Sequence, residues 1–184
     1  GGQEGGVMRT SVFVGVSVDG FLARASGELD FLDAAGPEAH GYEEFIATVD
    51  TVVLGRRTFD VVMVFDTWPY GDRRVVVLSS QPLDLSTAAA RGGRVEQMSG
   101  PPAQIASALA AGGAQHVYVD GGVTIQGFLR AGLIRRLVSS RVPVLIGSGI
   151  PLFGALPQDV SLRHVATKAF RGGLVQSEYE VNAA

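Results

Sequence analysis

Three short apolar runs, each closed by a turn, constrain this chain more than any other feature of its sequence. Thr51-Val52-Val53-Leu54 ends at Gly55, Arg74-Val75-Val76-Val77-Leu78 at Ser79-Ser80, and His116-Val117-Tyr118-Val119 at Asp120-Gly121-Gly122. None of them alternates apolar with polar residues. A strand of that kind is buried on both faces, as strands are in parallel sheets sandwiched between helices. The segments between the runs have helical character. Tyr42, Phe45, Ile46 and Val49 recur on one helical face, and Arg57 to about Val64 reads as a helix. Pro101-Pro102 opens another helix that Gly112-Gly113 stops, and Thr124 to Ala131 turns Ile125, Phe128 and Leu129 inward.

The two ends of the chain complete the pattern. Arg9 to Val18 is a strand with Val12, Val14, Val16 and Val18 on one face, followed by a polar loop and a short helix around Leu29, Phe31 and Leu32. Leu133 to Ile146 is a long apolar stretch bent near Pro143. The spans Val160 to Phe170 and Leu174 to Val181 read as strands joined at Arg171-Gly172-Gly173, a good hairpin turn. The expected fold is therefore a three-layer α/β/α sandwich around a mixed, mostly parallel sheet that ends in an antiparallel hairpin. With 184 residues and 46% apolar content, residues 8–184 suit a single domain with one good core. Residues 1–7, rich in glycine, read as a tag remnant or a flexible tail.

Charge and composition remove several function classes. A formal charge of −3 offers no broad basic face, so nucleic acid is not an expected partner. No apolar run reaches the roughly 18 to 20 residues that span a bilayer, and no signal-peptide pattern opens the chain. A cytoplasmic protein without a membrane partner is expected. Cysteine is absent, and His40, His116 and His164 are far apart, so neither disulfides nor a metal site is expected.

The loops that follow the three runs carry what a phosphate-bearing ligand needs. They are Gly55-Arg56-Arg57-Thr58, Leu78-Ser79-Ser80 and Asp120-Gly121-Gly122-Val123-Thr124. In open α/β sheets ligands collect at the carboxyl ends of the strands, where helix N-termini offer free N–H groups to anions. Each loop alone could be an ordinary strand-to-helix turn; three together point to a site. Arg56 and Arg57 beside two serine hydroxyls suit a ribose phosphate, because a guanidinium fork pairs with a phosphate monoester.

On these residues the chain resembles the dihydrofolate-reductase-like family. Gly55-Arg56-Arg57-Thr58-Phe59 is similar to its Gly-Arg-x-Thr-aromatic motif, Leu78-Ser79-Ser80-Gln81-Pro82 to its Leu-Ser-Ser segment, and Gly121-Gly122 before a helix to its diglycine turn. The resemblance is closer to the reductase domain of the bifunctional riboflavin-biosynthesis deaminase-reductase and its stand-alone relatives. Ser17-Val18-Asp19-Gly20 and the segment Pro143 to Phe153 match that branch. The resemblance implies NADPH as cofactor, with Arg56 and the serines on the 2′-phosphate and the diglycine on the pyrophosphate. It also implies hydride transfer to a small heterocyclic substrate and a homodimer.

The substrate side is less defined. Phe21, Leu22, Phe31 and Trp68 could wall a flat heterocycle, with Ser17 and Gly149 in the matching loops. Relatives carry an acid on the helix after the first strand; here Asp30, Asp33, Glu43 and Glu44 are candidates, of which Asp30 is chosen. Asp19 is a second catalytic candidate, and equally a turn former. A Rossmann dehydrogenase is excluded because no Gly-x-Gly-x-x-Gly follows the first strand. The alternative from another class is a non-catalytic nucleotide-binding protein that retains the cofactor cleft.

Overall fold

The computed structural model describes residues 7–183, so the expected tail, apart from an exposed Val7, lies outside the described residues. The elements follow in the order β1 (Arg9–Ser17), β2 (Phe21–Ala23), a 3₁₀ turn (Asp30–Ala35), α1 (Tyr42–Ile46), β3 (Thr51–Gly55), α2 (Arg56–Met63) and β4 (Arg74–Leu78). They continue with α3 (Ser86–Ala90), β5 (Arg94–Met98), α4 (Pro102–Ala111), β6 (His116–Asp120), α5 (Gly122–Arg130) and β7 (Arg136–Val142). β8 (Ile150–Pro151), β9 (Leu162–Ala169) and β10 (Val175–Val181) complete the chain.

Eight strands form one sheet in the order β5-β4-β3-β6-β1-β7-β10-β9. The first six are mutually parallel, and β10 runs antiparallel to both β7 and β9. The fold is thus the mixed, mostly parallel sheet expected, with its antiparallel end. The pleat explains why the three apolar runs lack alternation. Val53, Val76, Val117 and Val119 enter the core beneath α4 and α5, with Ile105, Leu109, Ile125 and Phe128. Their neighbours Val52, Leu54, Val75, Val77 and Tyr118 enter a second core with Phe45, Phe59, Val62 and Ala88 from α1, α2 and α3. Every position of such a strand is core, so each valine adds roughly 1.5 to 3 kcal/mol of burial whichever face it takes.

The structure differs from the sequence reading in its shorter elements. The connection after Pro82 contains the small helix α3, and the helix before β3 has only Tyr42–Ile46. The stretch from Leu133 to Ile146 is strand only over Arg136–Val142; Pro143, with no N–H to give a ladder, ends it. Beyond it β8 pairs antiparallel with β2 in a separate two-stranded flap.

Candidate active site

β3, β4 and β6 are neighbours in register, with Gly55 opposite Leu78 and Leu54 opposite Asp120. At about 5 Å between strands, their carboxyl ends and the three loops that follow lie along one rim of the sheet. Two glycines let the helix starts interlock there. A Cβ on Gly55 would stand 2.7 Å from Thr124 Oγ1, and one on Gly121 would stand 2.8 Å from Thr58 Oγ1. Gly121 also has φ +105, a conformation L side chains rarely adopt. The N-termini of α2 and α5 are thereby brought side by side, and their unpaired N–H groups face the same rim.

Two cavities meet at this junction. One, about 510 Å³, is lined by Gly55, Arg56, Ser79 and Ser80, with Val123 and Thr124 opposite. Leu78 also borders it, as does Arg130 from the far end of α5. The other, about 440 Å³, takes Arg57, Thr58, Asp120, Gly121 and Gly122 on its near side. The boundary runs between Arg56 and Arg57 on one helix and between Gly122 and Val123 on the other, so the two arginines serve different cavities.

The flap roofs the second cavity. Leu22, Ala23 and Ile150 line it, and Ile150 and Pro151 press on Gly122, where a Cβ would meet them at 2.8 and 3.0 Å. Its floor is Phe13 and Tyr118 with His40 and Tyr42 at the side. Asp120 opens onto this space. Its carboxylate accepts the Gly121 N–H (2.8 Å), yet burial dominates and pushes its pKa up. The tyrosines share that environment: burial and then the nearby Asp120 raise Tyr42, Tyr70 and Tyr118.

The residues expected on the substrate side are placed differently from one another. Ser17 is fully buried and its hydroxyl accepts the Phe21 N–H (3.0 Å), so both build the flap. Gly149 lies against the Ala23 backbone in the same flap. Phe31 is buried with Ala35, Val142 and Leu174, away from the cleft lining. Trp68 packs on Tyr70 (5.4 Å between rings) and against Gly93, beside α3 rather than the cleft.

Neither of the two acids expected to be catalytic lines the cleft. The Ser17 hydroxyl, with the N–H groups of Gly147 (2.8 Å) and Ile146 (3.3 Å), holds the Asp19 carboxyl below the usual range. Asp19 thus ties the glycine-rich loop to β1. Arg24 Nε pairs with Asp30 at 2.7 Å and lowers its pKa as well. The carboxyl that does line the cleft is Asp120, expected from the sequence only as a cofactor contact. Its only sequence signal is a carboxyl at the end of a fully apolar strand.

A mixed sheet with paired helix starts on its carboxyl rim and a roofed cleft beside them defines the dihydrofolate-reductase class of fold. An enzyme of that class, a dihydrofolate reductase from Enterococcus faecalis complexed with NADP(H), superposes with a TM-score of 0.64 at 18% identity, covering 95% of this chain and 97% of that one. The match to the RibD C-terminal domain covers residues 10–176, and the chain belongs to that family. A putative riboflavin biosynthesis protein from Shewanella sp. PV-4 is similar at 34% identity and TM-score 0.86, over 96% of this chain and 100% of that chain. The uncharacterized protein YwjB of Bacillus subtilis (strain 168) is 32% identical over 93% of this chain and 97% of its own length. No helix among the described residues is long and apolar enough to cross a membrane.

Proposed function

We propose that this chain is an NADPH-dependent reductase that delivers a hydride to a small heterocyclic substrate of the kind reduced in riboflavin biosynthesis. The observation that carries the reading is the junction of two cavities at one rim. Arg56, Ser79 and Ser80 line the first, and the diglycine and Asp120 line the second. The donor set fits the cofactor: a guanidinium and two hydroxyls suit the 2′-phosphate monoester, and the N-termini of α2 and α5 suit the pyrophosphate. Membership in a reductase family and the likeness to a structure that holds NADP(H) support the same cofactor.

When bound, the cofactor supplies a hydride from its nicotinamide ring to an electron-poor C=N or C=O carbon. The chain's own residues do the rest. Leu22, Ala23 and Ile150 exclude water from above, and the apolar floor of Phe13 and Tyr118 accepts a flat ring. Asp120, whose burial keeps it protonated to a higher pH than an ordinary carboxyl, gives its proton to the nitrogen or oxygen that gains charge. Water then returns a proton to the carboxylate.

The free edge of the sheet supports a homodimer. All eight residues of β9 are exposed, Leu162 and Val165 among them, and an unpaired edge strand is a template for a second copy. The test of the function is a fluorescence titration with NADPH followed by turnover against a panel of C=N heterocycles. Saturable binding and substrate-dependent oxidation of NADPH are expected. Binding without oxidation by any acceptor favours a non-catalytic nucleotide-binding protein, and no binding overturns both readings.

A further inference from the structure

Arg56 stands in the phosphate cavity with its charge already partly answered. Its Nε lies 3.2 Å from Asp60 Oδ1 and 3.3 Å from Oδ2, one turn further along α2. An Arg–Asp pair of this kind still offers N–H donors, but its net charge is close to zero. A phosphate monoester near neutral pH carries about −1.5 to −2. Arg56 and two neutral serine hydroxyls would therefore bind it by hydrogen bonding without matching its charge.

The last residue of α5 supplies what is missing. Arg130 lines the same cavity as Arg56, Ser79 and Ser80. Among the described residues it makes no ion pair within 4.0 Å. Helical side chains lean toward the N-terminus of their helix, and here the guanidinium folds back over the preceding turn. Its Nη2 lies 3.8 Å from where a Cβ on Gly127 would stand. Gly127 itself lines the cavity, so the absence of a side chain there leaves the path from Arg130 open. Val123, Gly127 and Arg130 fall within about 60° of one another on the helix, given 3.6 residues per turn.

We infer that Arg130, rather than Arg56, sets the preference for a 2′-phosphorylated dinucleotide over its unphosphorylated counterpart. This rests on the reductase reading of the same cavity. Arg56 positions the phosphate, while Arg130 provides the net positive charge that distinguishes a dianion from a hydroxyl. Asp60 opposes both, because it cancels part of the charge that the phosphate meets.

The test is binding of 2′,5′-ADP and 5′-AMP, with NADPH and NADH alongside, to the wild type and to Arg130→Met and Asp60→Asn. Methionine keeps an unbranched apolar stem without the charge. Arg130→Met is expected to weaken 2′,5′-ADP and NADPH by about tenfold or more, the weight of one charge-assisted hydrogen bond, and to leave 5′-AMP and NADH within about twofold. Asp60→Asn is expected to tighten 2′,5′-ADP several-fold, and rising salt should narrow the gap between the paired ligands less in Arg130→Met than in the wild type. If the wild type prefers 2′,5′-ADP and Arg130→Met keeps that preference, the assignment to Arg130 is wrong while the cofactor reading stands. If the wild type does not distinguish 2′,5′-ADP from 5′-AMP, the phosphate cavity itself is misassigned. A thermal melt of each variant separates loss of binding from loss of fold.

Discussion

The interlocked glycines at the rim can be tested by filling the space each one leaves. Gly55→Ala puts a methyl 2.7 Å from Thr124 Oγ1, while Gly55 has φ −73, which any residue adopts. Its cost is crowding alone, about 1 to 3 kcal/mol. Gly121→Ala meets Thr58 Oγ1 at 2.8 Å and in addition holds alanine at φ +105. With ψ 132 that conformation is one that essentially only glycine adopts, and it adds about 1 to 3 kcal/mol, so the sum is about 2 to 6 kcal/mol. Equilibrium urea unfolding of both variants, and of the double variants with Thr124→Ala and Thr58→Ala, separates the two contributions. Thr124→Ala should return most of what Gly55→Ala loses, with a coupling of about 1 to 3 kcal/mol between the positions. Thr58→Ala should return only the crowding part of Gly121→Ala. A control with Thr124→Ser keeps the oxygen and should rescue less. Strict additivity of Gly55→Ala and Thr124→Ala would refute the close approach between α2 and α5 on which the shape of the rim depends.

Asp120→Asn should lower turnover by roughly 10² to 10⁴, the usual weight of a positioned proton donor, while NADPH affinity changes little. In the wild type, turnover should fall as pH rises through the raised pKa of Asp120, and the asparagine variant should lose that limb of the profile. Stability should fall over the same pH range. For an acid whose folded pKa is raised, the stabilisation is full below the unfolded pKa and is lost as pH rises through the folded one. Asp120→Asn should therefore gain melting temperature over the wild type in mildly alkaline buffer and little in acid. Asp30→Asn, which removes an exposed partner of Arg24, should leave the turnover profile in place, and loss of the alkaline limb there would return the donor role to Asp30. Sedimentation should show a dimer that Val165→Lys on β9 weakens; a wild-type monomer at micromolar concentration would remove the edge-pairing proposal.

The features legible in the sequence were those that short runs of chain determine by themselves. Valine runs closed by Gly55, Ser79 and Asp120 fixed buried parallel strands and placed the three loops on one edge, because both faces of such strands must be covered. The hairpin near Gly172 was legible for the same local reason. What was not legible depends on contacts between distant segments. Trp68 looks like a free aromatic beside a turn, but Gly93 leaves room for it 25 positions later in the chain. Asp30 reads as an available acid until Arg24 is seen to hold it, and Asp19 until the loop at Gly147 is seen to close on it. The raised pKa of Asp120 comes from burial among side chains gathered from several elements, with Tyr118 beside it in β6 and Tyr42 across the cleft in α1. Arg130 is not legible as a site residue because it sits two helical turns beyond the diglycine, where only the empty flank of Gly127 connects it to the cavity of Arg56 and the serines.

A crystal structure with NADPH bound tests the central claim most directly, that one dinucleotide spans both cavities across the junction of α2 and α5. The 2′-phosphate is expected within hydrogen-bonding distance of Arg56 and of Ser79 or Ser80, the pyrophosphate at Gly121-Gly122, and the nicotinamide in the cleft that Asp120 borders. Density for the cofactor confined to one cavity, or on another face with Arg56 and the diglycine untouched, would contradict it.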